Sequence, residues 1–458
     1  MKETFALEQL AVVTSAQGHA RLRVNQNNKQ QTNMKRMIPY VLTAAVVVGA
    51  ICPMVQADEV TEWNGHMLNA VLTARVGAAP ASRVTAMVQS AVYDAVNGVY
   101  KQYTPVHVPA EAPPGASARA AAVQAAYGVL VKQFQSVPAV VSTLNTQRAA
   151  SLAALDEDGD GVLGKSVERG ISWGQHVADE IWNWRSGDGF SPAPPAFTGS
   201  TATGVWRPTP PAFASGATPQ LAYTVPFVID SVDNFLPPGP NALESAEYAV
   251  DFNEVKAVGR TDSPMRTADQ TLLSVFWAGN TPGFWNRAAV EMTKRYDLSL
   301  LQKARVLAAM NTAVSDAVFS CWNAKYFFVT WRPVTAIPLA DTDGNDGTDV
   351  DAGWSPLLTT PNHPEYPSGH SSQSGAAAGV LAAFFGDANE FALTSETTPG
   401  VSRIFSSFDA AAVEAGNSRI YGGIHYRKAC TDGKALGEQV AEYVLQNAFR
   451  RVPGTTHP

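Results

Sequence analysis

The chain has 458 residues and a formal net charge of −7, with 45% apolar residues and only 16% charged ones. A charged fraction so far below the roughly 25% of an average globular chain excludes a disordered protein and a coiled coil. The acidic balance also argues against nucleic acid as a partner, because its binders carry basic surfaces.

Taken in chain order, the one stretch that approaches a membrane span is Met37 to Val55, with Lys35 and Arg36 before it. It ends in Val55-Gln56-Ala57, a small-x-small pattern before Asp58. That layout reads as a secretory leader, so residues 1–57 are an N-terminal extension and leader that is removed. The expected location is periplasmic or secreted, with no membrane span after cleavage. Met34 is an alternative start. Removing residues 1–57 takes away six Lys/Arg and two Glu and leaves a charge of −11. It also leaves two cysteines, Cys321 and Cys430, which an oxidising compartment permits to pair without establishing that they do.

Apolar residues recur at helical spacing over 60–105, where Trp63, Met67, Val71, Val84, Met87 and Val92 share the period. Ala-rich helix is expected over 117–152 and another helix over 165–186. Between 187 and 243 Pro, Gly and Ser dominate, with Trp206, Phe213, Phe227 and Phe235 among them. A solvated linker lacks such aromatics, so this is read as a long ordered loop wrapping the helical body. Helices are expected over 244–258, 266–278, 284–297 and 299–328, then a loop over 333–366. Ser371 to Phe385 reads as an apolar helix, and 402–416 and 432–450 as closing helices. No alternating β pattern stands out. The fold class expected is all-α: one helical domain over 58–458 with long ordered Pro/Gly-rich loops, built to place a site in the bundle core.

Two acidic stretches qualify that picture. Asp156-x-Asp158-x-Asp160-Gly161 has the opening half of a calcium loop, but Val167 stands where the closing acid belongs. It is read first as an Asx-rich turn, with calcium the lesser alternative. Asp341 to Asp351 is read as loop structure capping the site.

Three short segments carry chemistry: Lys325-x6-Arg332-Pro333, Pro367-Ser368-Gly369-His370, and Ser418-Arg419-x5-His425. Lys325, Arg332 and Arg419 are cations suited to phosphate-like oxyanions, the arginines as planar forks. Pro-Ser-Gly opening a helix aims free N–H groups and a positive helix end at one point. Ser368 adds a hydroxyl, and Gly369 lets an anion approach the backbone. His370 can move a proton, and His425 can act as metal ligand or nucleophile. Each alone has a bland reading as surface charge, structural histidine or helix cap. Together, three cations in one site of an acidic protein call for an anion.

The combined signature, about residues 310–450, resembles that of type 2 phosphatidic acid phosphatases, bacterial acid phosphatases and vanadium-dependent haloperoxidases. Likeness to the bacterial haloperoxidase branch extends over roughly 60–450, through Met87 to Asn97, Gly204 to Pro211, Arg266 to Gln270, Phe284 to Arg287, Asp316 to Arg332 and the His363-Pro364-Glu365-Tyr366 loop. The resemblance implies a helical bundle holding vanadate. His425 would be the vanadium ligand, Lys325, Arg332, Ser368, Gly369 and Arg419 the oxyanion holders, and His370 the acid–base partner. It implies oxidation of a halide by hydrogen peroxide. Trp322 lies where fungal chloroperoxidases carry a halide-side Trp. His363 lies where chloroperoxidases carry Phe and algal bromoperoxidases His, which favours bromide or iodide. The alternative is an acid phosphatase that needs no cofactor, cleaving phosphate monoesters through a phosphohistidine at His425. A protein that merely binds oxyanions is the third reading, and it has no need of both His370 and His425. The sequence leaves the oligomeric state open.

Overall fold

The computed structural model describes residues 58–156 and 163–454. The leader and the positions Asp158 and Asp160 lie outside the described residues, as does the side chain of Asp156, so the calcium reading stands only as a sequence expectation. Among the described residues no helix is long and apolar enough to cross a membrane.

The expected first helix is two. Helix α1 (Glu59–Thr73) starts at Asp58, whose carboxylate accepts from the Thr61 N–H, and α2 spans Ala78–Tyr100. Arg75 between them is left-handed, and Pro80 in the first turn of α2 has no N–H to give a continuing helix. The Ala-rich stretch likewise divides into α3 (Ala118–Gln133) and α4 (Pro138–Asp156), the second opening on proline. Helix α5 (Leu163–Ser186) follows.

After the 187–243 loop come α6 (Ala246–Gly259), α7 (Ala268–Phe276) and α8 (Thr281–Arg295). Helix α9 (Leu300–Phe328) is the central rod, buried along almost all its length. A capping box of Ser299 and Gln302 starts it, and left-handed Val329 stops it. The short α10 (Pro333–Ala336) follows, then α11 (Gly369–Phe385). Two strands correct the all-helical expectation for this region: β1 (Phe391–Thr394) pairs antiparallel with β2 (Ser402–Phe405), Phe391 opposite Phe405. Phe391 and Leu393 point into the core and their neighbours outward, an alternation too short to register in the sequence. Helix α12 (Phe408–Tyr421) therefore begins after the hairpin, and α13 (Arg427–Asn447) closes the fold.

Helices α11 and α13 pack backbone to backbone. A Cβ on Gly437 would stand 2.1 Å from the Ser372 carbonyl oxygen, and one on Gly433 2.7 Å from that of Ser368. Only glycine permits that approach, and it presses the turn before α11 against α13.

The 187–243 loop is ordered as expected, and α9 is what orders it. Buried Asp316 accepts the N–H groups of Phe227, Val228 and Ile229 at 2.7, 2.8 and 3.1 Å. Trp206, Phe227 and Phe235 are buried, whereas Phe213 faces solvent. Buried Asp94 on α2 does the same for the backbone of Val106, His107 and Val108. The loop at 341–351 is fastened on α6. Its hydrogen bonds run to α6 and the turn before it, through Asn345, the Gly347 and Asp349 carbonyls, and an Arg260–Asp351 ion pair.

Burial outweighs the three N–H donors and pushes the Asp94 and Asp316 carboxyls up to about 6. Each binds its proton more tightly folded than unfolded, so the folded state holds protons across about pH 4–6 that the unfolded chain has released. The contribution of each to stability therefore falls as pH rises through that window, by on the order of 3 kcal/mol. Asp316→Asn removes one such group. The loss of urea stability between pH 4 and pH 6 should be smaller in the variant than in the wild type. Equal losses would show that Asp316 does not titrate there.

Candidate active site

The three signature segments converge. The last turn of α9 brings Lys325, and the stop at Val329 lets the chain turn so that Arg332 caps α10. The loop 361–367 crosses beside them, fixed by Glu365 N–H donating to the Thr330 carbonyl and Ser368 N–H donating to that of Ala429. Ser368 is then the N-cap of α11, its hydroxyl accepting from the Ser371 N–H, and Gly369 is the first residue of that helix. Arg419 lies in the last turn of α12, and His425 just ahead of α13.

Lys325 is fully buried, and its ammonium donates to the carbonyls of Pro364, Glu365 and Pro367 at 2.8, 2.9 and 2.5 Å. All three of its donors are therefore taken by backbone, and Lys325 offers charge rather than free N–H groups. Arg332, also fully buried, donates to the His363 and Ile424 carbonyls, to His425 Nε2 at 3.1 Å and to His363 Nδ1 at 2.9 Å. Arg419 donates through Nε to the Ser418 hydroxyl and through Nη2 to the Ser274 carbonyl. A guanidinium carries about five N–H donors, so Arg419 keeps the most donor capacity for a ligand.

The donors fix the histidine tautomers, since arginine can only donate. His425 Nδ1 donates to Glu365 Oε1 at 2.8 Å, leaving Nε2 as the acceptor that faces Arg332. The same Oε1 accepts the Tyr426 N–H at 2.9 Å. His363 accepts at Nδ1 and so carries its proton on Nε2. His370 Nε2 is buried with no hydrogen-bond partner.

Charge is unevenly placed here. Lys325, Arg332 and Arg419 are buried, and none forms an ion pair with a carboxylate among the described residues. Glu365 is the carboxylate nearest them in effect, raised to about 7 by burial against the pull of Arg332. Burial lowers the Lys325 ammonium to about 7 and both guanidinium groups to about 10. His370 and His425 are held well below the usual imidazole range, by burial first and then by the neighbouring cations. Both imidazoles are neutral at pH 7. An uncompensated buried charge costs several kcal/mol, so this cage is built for an anion. An oxyanion fits on three observations: the excess charge, the spare N–H groups of Arg419, and the orphaned His370 Nε2 beside the N-terminus of α11. Among the described residues no cluster of three or more His, Cys, Asp or Glu could hold a metal cation by itself.

Residues 305–454 match the family model described as the VCPO second helical-bundle domain. The vanadium chloroperoxidase of Curvularia inaequalis is 31% identical over 171 residues, which span 27% of its own length. The solved structure of a bacterial vanadium-dependent iodoperoxidase superposes with a TM-score of 0.74 at 27% identity, covering 87% of this chain and 98% of that one. Residues 305–454 thus resemble that second helical-bundle domain, and the chain shares the fold of the bacterial vanadium-dependent haloperoxidases. An apo bacterial vanadium-dependent chloroperoxidase shares the fold, with a TM-score of 0.63 at 17% identity over 81% of this chain and 94% of that one.

Within that haloperoxidase fold the structure gathers all the oxyanion-site residues singled out in the sequence. Trp322 and His363 also come together, their rings 5.1 Å apart, with Trp322 packed on Gly369. Trp322 is thus a wall of the site as well as a packed core residue. Cys321 and Cys430 are both buried free thiols. Sequence reasoning missed Glu365 as a functional residue. It stood inside the recognised loop, but its bond to His425 spans 60 positions and no local pattern announces it.

Glu365→Gln tests this pair. A glutamine oxygen can still accept from His425 and Tyr426, so the variant keeps the shape and removes the charge. The partner of a metal-binding histidine is typically worth 10–100-fold in affinity or activity. Orthovanadate affinity should fall about that far in the variant, with an unchanged circular dichroism spectrum. Unaltered affinity would reduce Glu365 to a packing group.

Proposed function

We propose that this protein is a vanadate-dependent peroxidase that oxidises halide, bromide or iodide in preference to chloride, with hydrogen peroxide as oxidant. The observation that carries the reading is a neutral His425, tautomer set by Glu365, presenting an Nε2 lone pair into a cage of three buried cations. Vanadate bound there would supply a Lewis-acidic centre at which hydrogen peroxide becomes an oxidant for halide.

The chain's own residues take distinct parts. His425 would hold the metal through Nε2, which requires its 3.1 Å contact with Arg332 to open. Arg419 directs its spare N–H groups to the oxyanion, while Lys325 and Arg332 lend charge from fixed positions. Ser368 and the Gly369 amide donate at the positive end of α11. His370 accepts a proton at Nε2 when peroxide enters. Burial first and the neighbouring cations second keep it neutral in the free protein, and an arriving anion offsets those cations. His363 beside Trp322 would make the halide side, and a histidine there resembles the algal bromoperoxidase pattern rather than the phenylalanine of chloroperoxidases. The relative at 27% identity is named as an iodoperoxidase, which supports iodide. The reading includes export, with Met37 to Val55 as leader.

A phosphate ester is the rival substrate, since the same cage and the same Nε2 suit attack on phosphorus. One purified sample separates them. Half receives orthovanadate, hydrogen peroxide and bromide with a brominatable dye, and half a phosphate monoester without vanadate. Vanadate-dependent bromination with little phosphate release is expected. Phosphate release that vanadate inhibits, without bromination, would make the protein a phosphatase. His370→Ala should lower the bromination kcat by about 10²–10⁴ while orthovanadate still binds. Wild-type turnover in that variant would remove His370 from the proton transfer.

A further inference from the structure

Part of the oxyanion cage is held from outside the three signature segments, by the last turn of α7. A helix leaves its final carbonyls unbonded and carries partial negative charge at that end, a setting that favours cations. Buried Arg419 donates through Nη2 to the Ser274 carbonyl there at 3.1 Å. The Trp277 carbonyl, at the cap of the same helix, faces the His370 ring. Since His370 Nε2 has no partner, the ring meets that carbonyl through Nδ1–H, which leaves Nε2 with its lone pair. The two carbonyls in between are taken elsewhere, Val275 by the Thr397 hydroxyl and Phe276 by that of Ser395. We propose that the C-terminal end of α7 belongs to the oxyanion site, and that Glu414 is the positioning residue that holds this end against Arg419 and His370. The proposal rests on the cage being an oxyanion site, whichever reaction follows.

Glu414 joins the two helices concerned. It lies on α12, five positions before Arg419, and accepts the Trp277 indole N–H at 2.9 Å. Its two oxygens also accept from Nε and Nη2 of Arg403 on β2, each at 2.7 Å. The same guanidinium pairs at 2.8 Å with Asp269 in the first turn of α7. One arginine fork therefore ties both ends of α7 to α12. The Glu414 side chain is 20% exposed, and an ion pair so placed contributes little by itself. Its weight comes from what Trp277 carries.

Two sequence stretches outside the signature support the same helix end. Thr267 and Gln270, in the stretch Arg266 to Gln270, form the capping box that starts α7. Phe284, in the stretch Phe284 to Arg287, packs on Phe276 and Trp277 with ring centroids 5.4 and 4.9 Å apart.

Calorimetry of the full chain with orthovanadate, repeated with inorganic phosphate, tests this. Glu414→Ala should weaken both anions about 10-fold, the worth of one hydrogen bond to a charged group. Glu414→Gln keeps an acceptor for the Trp277 indole and should restore most of that loss. Arg403→Gln leaves Glu414 without its clamp and should weaken binding in the same direction. Asp94→Asn is the control, since it loosens a different loop. It should lower the thermal midpoint and leave anion affinity unchanged. Wild-type affinity in Glu414→Ala, or in Arg403→Gln should the first variant not fold, would overturn the role of Glu414. A loss that Glu414→Gln leaves unrestored, or an equal loss in Asp94→Asn, would do the same. A wild-type chain that binds neither anion would instead overturn the oxyanion cage, and this assignment with it.

Discussion

Two guanidinium groups and an ammonium lie inside this protein around a single carboxylate, and much of the surrounding structure answers that imbalance. Lys325 shows how. Its ammonium is held by three carbonyls from one stretch, Pro364 to Pro367, so the cation dictates the path of that loop. The same path delivers Ser368 to the start of α11 and Glu365 to His425. Charge compensation and site construction are therefore one set of contacts. Removing the ammonium would release the loop as well as the charge.

Helix α9 extends this logic. Asp316 and Lys325 lie nine residues apart on it, about two and a half turns, and each gathers three backbone groups from a loop. Asp316 accepts three N–H groups from the 187–243 loop, and Lys325 donates to three carbonyls of the 361–367 loop. An acid and a base on one buried rod thus fasten two loops by opposite polarity. Asp94 on α2 repeats the acidic version. Loops rich in Pro and Gly have few ladder hydrogen bonds of their own. Buried charges supply what secondary structure does not, and ordered loops can then carry a precise site.

This also explains what was legible in the sequence. Lys325, Arg332, Arg419, Ser368, His370 and His425 announce themselves because their chemistry is conspicuous and their spacing local. The helical body is legible through periodicity, and the ordered long loop through its buried aromatics. The break at Arg75 was hidden because apolar period continues across it, so only Pro80 marks the restart. The hairpin at Phe391–Phe405 was hidden because four-residue strands give too few alternations. Glu365 was visible as a residue and invisible as a partner, since its role exists only once the fold brings His425 to it. Phe213 was misjudged as a packed aromatic because burial is a property of neighbours rather than of residue type.

The Trp322–His363 side and the oxyanion side are not independent in this site. His363 lies tilted against Trp322, yet its carbonyl and its Nδ1 both accept from Arg332, which in turn touches His425 Nε2. A phenylalanine at 363 would keep the carbonyl contact and lose the ring acceptor, freeing a guanidinium N–H. That N–H would then need another acceptor, and the oxyanion is the one available beside it. Exchanging this single ring would therefore alter two properties together: the polarity of the wall beside Trp322 and the number of donors turned toward an anion in the cage. In the proposed reading, halide preference would depend partly on how Arg332 divides its donors between a histidine wall and an anion in the cage.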